Sequence, residues 1–138
     1  MIAYVDSSVI LRVVLGQAGA LSEWKSVVTG VSSALAEVEC LRTMDRLRLL
    51  GHLTVEEAAS GREAVYRIIE ALEVVDLTPA VLRRAAQPVP APLGTLDAIH
   101  LATADLWRET VRKIPVMATH DKALALAARA SGFAVIGV

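Results

Sequence analysis

Four acids stand where a carboxylate can do chemistry: Asp6 closing the apolar run from Met1 to Val5, Glu39 in a helical stretch, Asp97 in Thr95-Leu96-Asp97-Ala98, and Asp121 just after Val116 to Thr119. Small polar residues follow Asp6, and then Val9, Ile10, Leu11, Val13 and Val14 recur at helical spacing, which places the acid at a strand-to-helix junction. An acid there can accept hydrogen bonds from the free N–H groups of the next helix. It can equally hold a cation or substrate at the carboxyl end of a sheet. Asp97 and Asp121 also fall in or beside a first helical turn, where the macrodipole favours negative charge, and Glu39 taken alone reads as a solvated partner of Arg42 or Arg46. No single capping argument covers all four on one edge. Such a cluster repels itself and raises its own pKa values unless a cation neutralises it.

The elements that must position these acids are legible as alternating patterns. Strand-like runs occur at Ile2 to Val5, Val27 to Val31, Glu73 to Leu77, Val116 to Thr119 and Ala134 to Val138. Helical patterns cover Ser8 to Leu15, Ala20 to Val27, Ser33 to Leu50, Val55 to Leu72, Ala80 to Ala86, Leu96 to Thr110 and Lys122 to Ser131. The alternation predicts an α/β fold, a parallel sheet of four to five strands covered by helices on both faces. Helix ends carry their own punctuation: Gly51 after the third, Thr54 with Glu57 three residues on as a capping box, Thr78-Pro79 before the fifth, and Gly132 after the last. The segment from Gln87 to Gly94, with its three prolines, reads as a loop at the rim of a site.

A chain of 138 residues with no internal repeat or shift in composition is expected to form one domain, residues 1–138. Apolar residues make up 54% and mean hydropathy is +0.51, but charges interrupt every run before the roughly 18 apolar residues a membrane span needs. The apolar surplus points to an oligomer or a protein complex. With no basic segment leading into an apolar signal core, the chain reads as cytoplasmic. Fourteen Lys and Arg against fifteen Asp and Glu give a net charge of −1, so the overall balance does not mark a nucleic-acid binder. Arginines nevertheless cluster at Arg42, Arg46 and Arg48, and their planar forks suit phosphate. The lone Cys40 lies in an apolar helical stretch and reads as a buried, inert thiol.

Val5-Asp6-Ser7-Ser8, then the stretch from Val31 to Arg42 with Glu37 and Glu39, then Thr95-Leu96-Asp97-Ala98-Ile99-His100-Leu101-Ala102-Thr103-Ala104, then Ala118-Thr119-His120-Asp121 resemble the four motifs of PIN-domain proteins of the VapC toxin type. Order and spacing agree across nearly the whole chain. The resemblance implies a three-layer α/β/α fold and a divalent-metal site holding Mg2+ or Mn2+. It also implies metal-dependent endoribonuclease activity on RNA, a VapB-type antitoxin as inhibitor, and a homodimer. The acids it implies are Asp6, Glu39, Asp97 and Asp121, with Thr119 as a supporting hydroxyl. Arg42 and Arg46, three and seven residues after Glu39, are candidates for holding the RNA backbone.

Glu37 competes with Glu39, because two residues on a helix differ by roughly 200° of rotation and both cannot face one ion. Periodicity does not choose between them; Glu39, followed by Cys40, Leu41 and Arg42, matches the family's spacing of glutamate and arginine. Asp105 shares a helix face with Asp97 but stands about 12 Å further along, too far for a common ion. A zinc site can be drawn from His100, His120 and the acids, although the family uses oxygen ligands. Gly94 stands where many relatives carry a basic residue. The alternative to an enzyme is a catalytically silent PIN fold that serves as a binding or regulatory partner.

Overall fold

The computed structural model describes residues 1–138. In chain order it comprises β1 (Ile2–Val5), α1 (Ser7–Val14), a 3-10 turn (Ser22–Ser26), β2 (Thr29–Ser33), α2 (Ala34–Leu49), α3 (Val55–Ala71), β3 (Glu73–Val75), α4 (Pro79–Ala85), α5 (Thr95–Val111), β4 (Val116–Ala118), α6 (Lys122–Ala130) and β5 (Val135–Ile136). The five strands form one sheet in the order β3-β2-β1-β4-β5, and every pair is parallel.

Alternation along the strands divides the core into two halves. Tyr4 lies in register with Val31 on one side and Met117 on the other. This row faces Leu101, Ala104 and Trp107 of α5 and Leu124, Ala127 and Ala128 of α6. Ala3, Val5 and Ala118 point the opposite way, onto Val9 and Ile10 of α1, Ala36 and Cys40 of α2 and Val65 of α3. The result is the expected three-layer α/β/α sandwich, with both faces covered as a parallel sheet requires. Gly61 marks how closely α2 and α3 approach, since a Cβ there would lie 2.7 Å from the sulfur of the buried Met44. No helix is long and apolar enough to cross a membrane.

Several helix ends form as their sequence signals require. Thr54 Oγ1 accepts from the Glu57 N–H while the Glu57 carboxylate accepts from the Thr54 N–H, both at 3.0 Å. Thr78 caps α4, with Pro79 as its first residue, and Gly51 follows α2 at φ 77°.

Two expectations fail near the second strand. It runs from Thr29 to Ser33, not Val27 to Val31. The reason is that Ser32, polar and outside the apolar run, and Ser33, which reads as the start of the next helix, are buried and satisfied: Ser32 Oγ donates to the Val5 carbonyl at 2.6 Å and Ser33 caps α2. Before it, Ala20 to Val27 forms only the five-residue 3-10 turn. That segment lacks a side-chain cap, and five residues are too few for an α-helix to repay its nucleation.

Candidate active site

From β1 the chain moves outward to β2 and β3, then crosses back to β4 on the other side of β1. That reversal opens a crevice between the carboxyl ends of β1 and β4, the position where open parallel sheets place their ligands. Asp6 follows β1 and Thr119 follows β4, and Thr119 Oγ1 donates to Asp6 Oδ2 at 2.7 Å.

Asp6 is buried and fully engaged. Its Oδ1 accepts from Ser8 Oγ at 2.6 Å and from the Val9 N–H at 3.3 Å, so it caps α1 while facing the crevice. Burial raises its pKa, and the hydrogen bonds from Ser8 and Thr119 work against that rise. Asp121 caps α6 by accepting the Leu124 N–H on Oδ1 at 2.8 Å, and its own N–H donates to Thr119 Oγ1 at 2.9 Å. Thr119 therefore ties the two acids together through one hydroxyl.

Glu39 projects from α2 to His100 on α5, with Oε1 2.5 Å from Nε2. On the other side of the ring, Nδ1 stands 2.8 Å from the Tyr4 hydroxyl. The carboxylate can only accept, so Nε2 donates its N–H to Glu39 and Nδ1 is the nitrogen that meets the Tyr4 hydroxyl. Burial holds the Tyr4 phenol well above its ordinary pKa, so it stays a donor. Glu37 makes no contact of this kind, and Arg42 pairs with Asp45 at 2.9 Å instead of with Glu39.

Asp97 differs from the others. It lies in the first turn of α5, where Gly94 is the N-cap and no side chain supplies a capping bond. Its carboxyl is raised from 3.8 to about 6, first by partial burial and then by the negative charges of Asp121, Asp6 and Glu39, with His100 opposing. Asp97 thus feels the charge of all three other acids. The four are not drawn into a closed cage, because no three His, Cys, Asp or Glu side chains are close enough to share one ion.

Both nitrogens of His100 are engaged by Tyr4 and Glu39, so the zinc alternative, which needs both histidines, does not assemble. The available donors are carboxylate oxygens, which suit a hard divalent cation. Asp97 has both oxygens uncommitted, while Asp121 keeps Oδ2 and Glu39 keeps Oε2. Asp105 is ion-paired with Arg108 at 2.6 Å, away from this set. Cys40 is buried nearby, and desolvation pushes its thiol up to about 12, with Glu39 and Asp6 adding to the rise.

The PIN domain family model matches residues 3–130. The chain belongs to the PIN-domain family, and it is similar to curated relatives of the VapC type. It is 32% identical over 136 residues to Ribonuclease VapC46 of Mycobacterium tuberculosis, covering 96% of this chain and 95% of that one. It is 30% identical over 139 residues to Ribonuclease VapC35 of the same organism, covering 96% and 94%. Among solved structures, FitAB bound to an IR36 DNA fragment superposes with a TM-score of 0.72 at 17% identity, over 99% of this chain and 94% of that one. A toxin-antitoxin complex from Klebsiella pneumoniae superposes with a TM-score of 0.68 at 14% identity, over 97% and 95%.

Three contributors to this PIN site were not singled out by sequence. Tyr4 reads as core or interface, yet its hydroxyl meets His100 Nδ1; Ser8 reads as the start of a helix, yet it bonds Asp6. Arg12 lies with Gln17, Thr43 and Asp121 along a groove of about 330 Å³ between α1 and α2. Its position six residues after Asp6, in the helix that Asp6 caps, is the only signal that could have found it. A larger cleft of about 410 Å³, lined by Trp24, Val27, Ile68 and Leu72 among others, opens at the amino end of β2, far from the acids.

Proposed function

We propose that this PIN-domain protein is a divalent-metal-dependent endoribonuclease that hydrolyses RNA phosphodiester bonds. Asp97 carries the reading: a half-buried carboxylate with no donor from the protein, crowded by three further acids. Ordinary folding does not favour such a cluster, whereas a cation resolves it. The match to the PIN family and the similarity to relatives named ribonucleases support the same conclusion.

Asp6, Glu39, Asp97 and Asp121 are the residues that would hold Mg2+ or Mn2+. Such an ion, when bound, would activate a water and offset charge building on the phosphate. The chain's own contribution is preorganisation. Ser8, Val9 and Thr119 fix the Asp6 carboxylate from three directions, and His100 orients Glu39 through the proton on Nε2. The uncommitted oxygens of Asp97, Asp121 and Glu39 are the ones left to meet a ligand.

Phosphate contacts fall to arginines beside this edge. Arg46 is exposed with no ion pair and is free to meet the RNA backbone, whereas Arg12, along the α1–α2 groove, also donates to the Gly19 carbonyl and Arg42 must share itself with Asp45. With aromatics at 4%, recognition would rest on RNA shape more than on base stacking.

A VapB-type antitoxin and a second copy of the chain are the proposed partners. Exposed Val38 and Leu96, immediately beside Glu39 and Asp97, supply an apolar rim at the site for the antitoxin to cover. Cytoplasmic RNA would be the substrate, and light scattering of the purified chain tests the dimer.

The decisive experiment incubates antitoxin-free protein with a structured RNA pool in Mg2+, Mn2+ or EDTA, beside Asp6→Asn and Asp97→Asn. Cleavage that needs the metal and disappears in both variants supports the proposal. Cleavage that survives EDTA refutes the metal role, and a folded protein that binds the ions but cleaves nothing favours the silent binding partner.

A further inference from the structure

The loop between β4 and α6, Thr119-His120-Asp121, carries two groups of the site, and the far end of the chain grips it. His120 Nδ1 lies 2.8 Å from the Gly137 carbonyl, which can only accept, so the ring donates its Nδ1–H. The backbone N–H of His120 donates to Ser8 Oγ at 2.9 Å, and Ser8 Oγ donates to Asp6. Just beyond β5, Gly137 has φ +99°, and a Cβ there would run into the Thr119 carbonyl oxygen and stand 3.1 Å from its carbon. The Thr119 N–H is itself bonded to the Ile136 carbonyl at 3.1 Å. Backbone thus lies directly on backbone, an approach open to glycine alone.

His120 Nε2 is the one buried side-chain polar atom in the protein with no partner. A ring serving only to fill space would be better replaced by an apolar side chain, which leaves no orphan. What the imidazole supplies is the Nδ1 donor.

We propose that His120 and Gly137 form a clamp that sets the β4–α6 loop, and that they act as positioning residues for Thr119 and Asp121 and, through Ser8, for Asp6. The effect on cleavage rests on the ribonuclease reading above; the effect on the loop does not.

Three variants test it: His120→Leu, which keeps bulk and removes the donor; His120→Asn, whose amide N–H can take the place of Nδ1–H; and Gly137→Ala. Amide hydrogen exchange at Thr119 and Asp121 and the kcat and KM of RNA cleavage are measured on each. His120→Leu and Gly137→Ala should speed exchange at those two amides while β1 stays protected, and lower kcat by about 10- to 100-fold with little change in KM, the cost of a small misplacement. His120→Asn should restore both readouts to near wild type. A His120→Leu protein with wild-type exchange and kcat overturns the clamp, as does a His120→Asn protein as impaired as His120→Leu. If Gly137→Ala does not fold, the two His120 variants decide. Loop exchange that follows this pattern in a protein that cleaves no RNA upholds the clamp and refutes the ribonuclease reading.

Discussion

Replacing Asp97 with Asn should make the metal-free protein more stable. A rise in pKa from 3.8 to about 6 means that the folded chain holds this proton more tightly than the unfolded chain does. Relative stability from this group is therefore fully present below about 3.8 and is lost as pH climbs through about 6, so at pH 7.5 the ionised side chain weakens the fold. At about 1.4 kcal/mol per tenfold change in proton affinity the rise is worth roughly 3 kcal/mol. Solvent screening of a half-exposed carboxylate reduces this to about 1 to 1.5 kcal/mol. For a chain of this size that is a gain of about 3 to 6 °C in Tm. Thermal melts of both proteins in EDTA at pH 7.5 and pH 3.5 check it: Asp97→Asn should melt higher at the first pH and level with wild type at the second. Added Mg2+ should then raise wild type more than the variant, because binding to the folded state alone stabilises it by mass action. A variant no more stable than wild type at pH 7.5, or an advantage that persists at pH 3.5, would refute the claim that crowded negative charge sets the energetics of this site.

Thr119→Val removes the donor to Asp6 and the acceptor for the Asp121 N–H; unfolding by urea should show a loss of about 1 to 3 kcal/mol, and cleavage should fall by at least roughly tenfold. Tyr4→Phe strands His100 Nδ1 in the core, so stability should drop by about 1 to 3 kcal/mol, while ring 15N shifts should show Nε2–H retained, because the Glu39 carboxylate can only accept. Arg46→Glu should raise KM for RNA with kcat nearly unchanged and flatten the salt dependence of binding, while Arg42→Glu, already compensated by Asp45, should do less.

Much of this architecture was readable because local and global signals agree. The apolar runs at Ile2–Val5 and Val116–Ala118, the capping box at Thr54 and the Thr78-Pro79 start all describe neighbours in sequence, and each forms as its chemistry demands. The parallel sheet then brings Asp6 and the β4–α6 loop to one edge with no further information. What stayed hidden depends on contacts between distant residues. Tyr4 meets His100 across 96 positions and His100 meets Glu39 across 61, so neither link leaves a periodic trace. The β2 boundary failed for a similar reason: Ser32 is acceptable in a buried strand only because the Val5 carbonyl, on another strand, takes its proton. Arg42 turned to Asp45, an i,i+3 neighbour whose pKa Arg48 and Arg42 together lower.

Capping and chemistry, posed as rival explanations for the acids, prove to be joint ones. Asp6 and Asp121 each spend Oδ1 on a helix N-terminus, and that bond immobilises the carboxylate before any ligand arrives. A side chain fixed in this way has little rotamer freedom left to lose on binding. Asp97 is the reverse case, near an N-terminus but uncapped, and it therefore retains both oxygens and the full repulsion of its neighbours. The crevice thus joins rigid acids to mobile ones. On the proposed metal reading, Asp6 and Thr119 would define where a cation sits, and Asp97, with Glu39 held only through Oε1, would supply the carboxylates that close on it. Removing the rigid pair should therefore disturb the fold and the site together, whereas removing Asp97 should abolish ion binding while strengthening the fold.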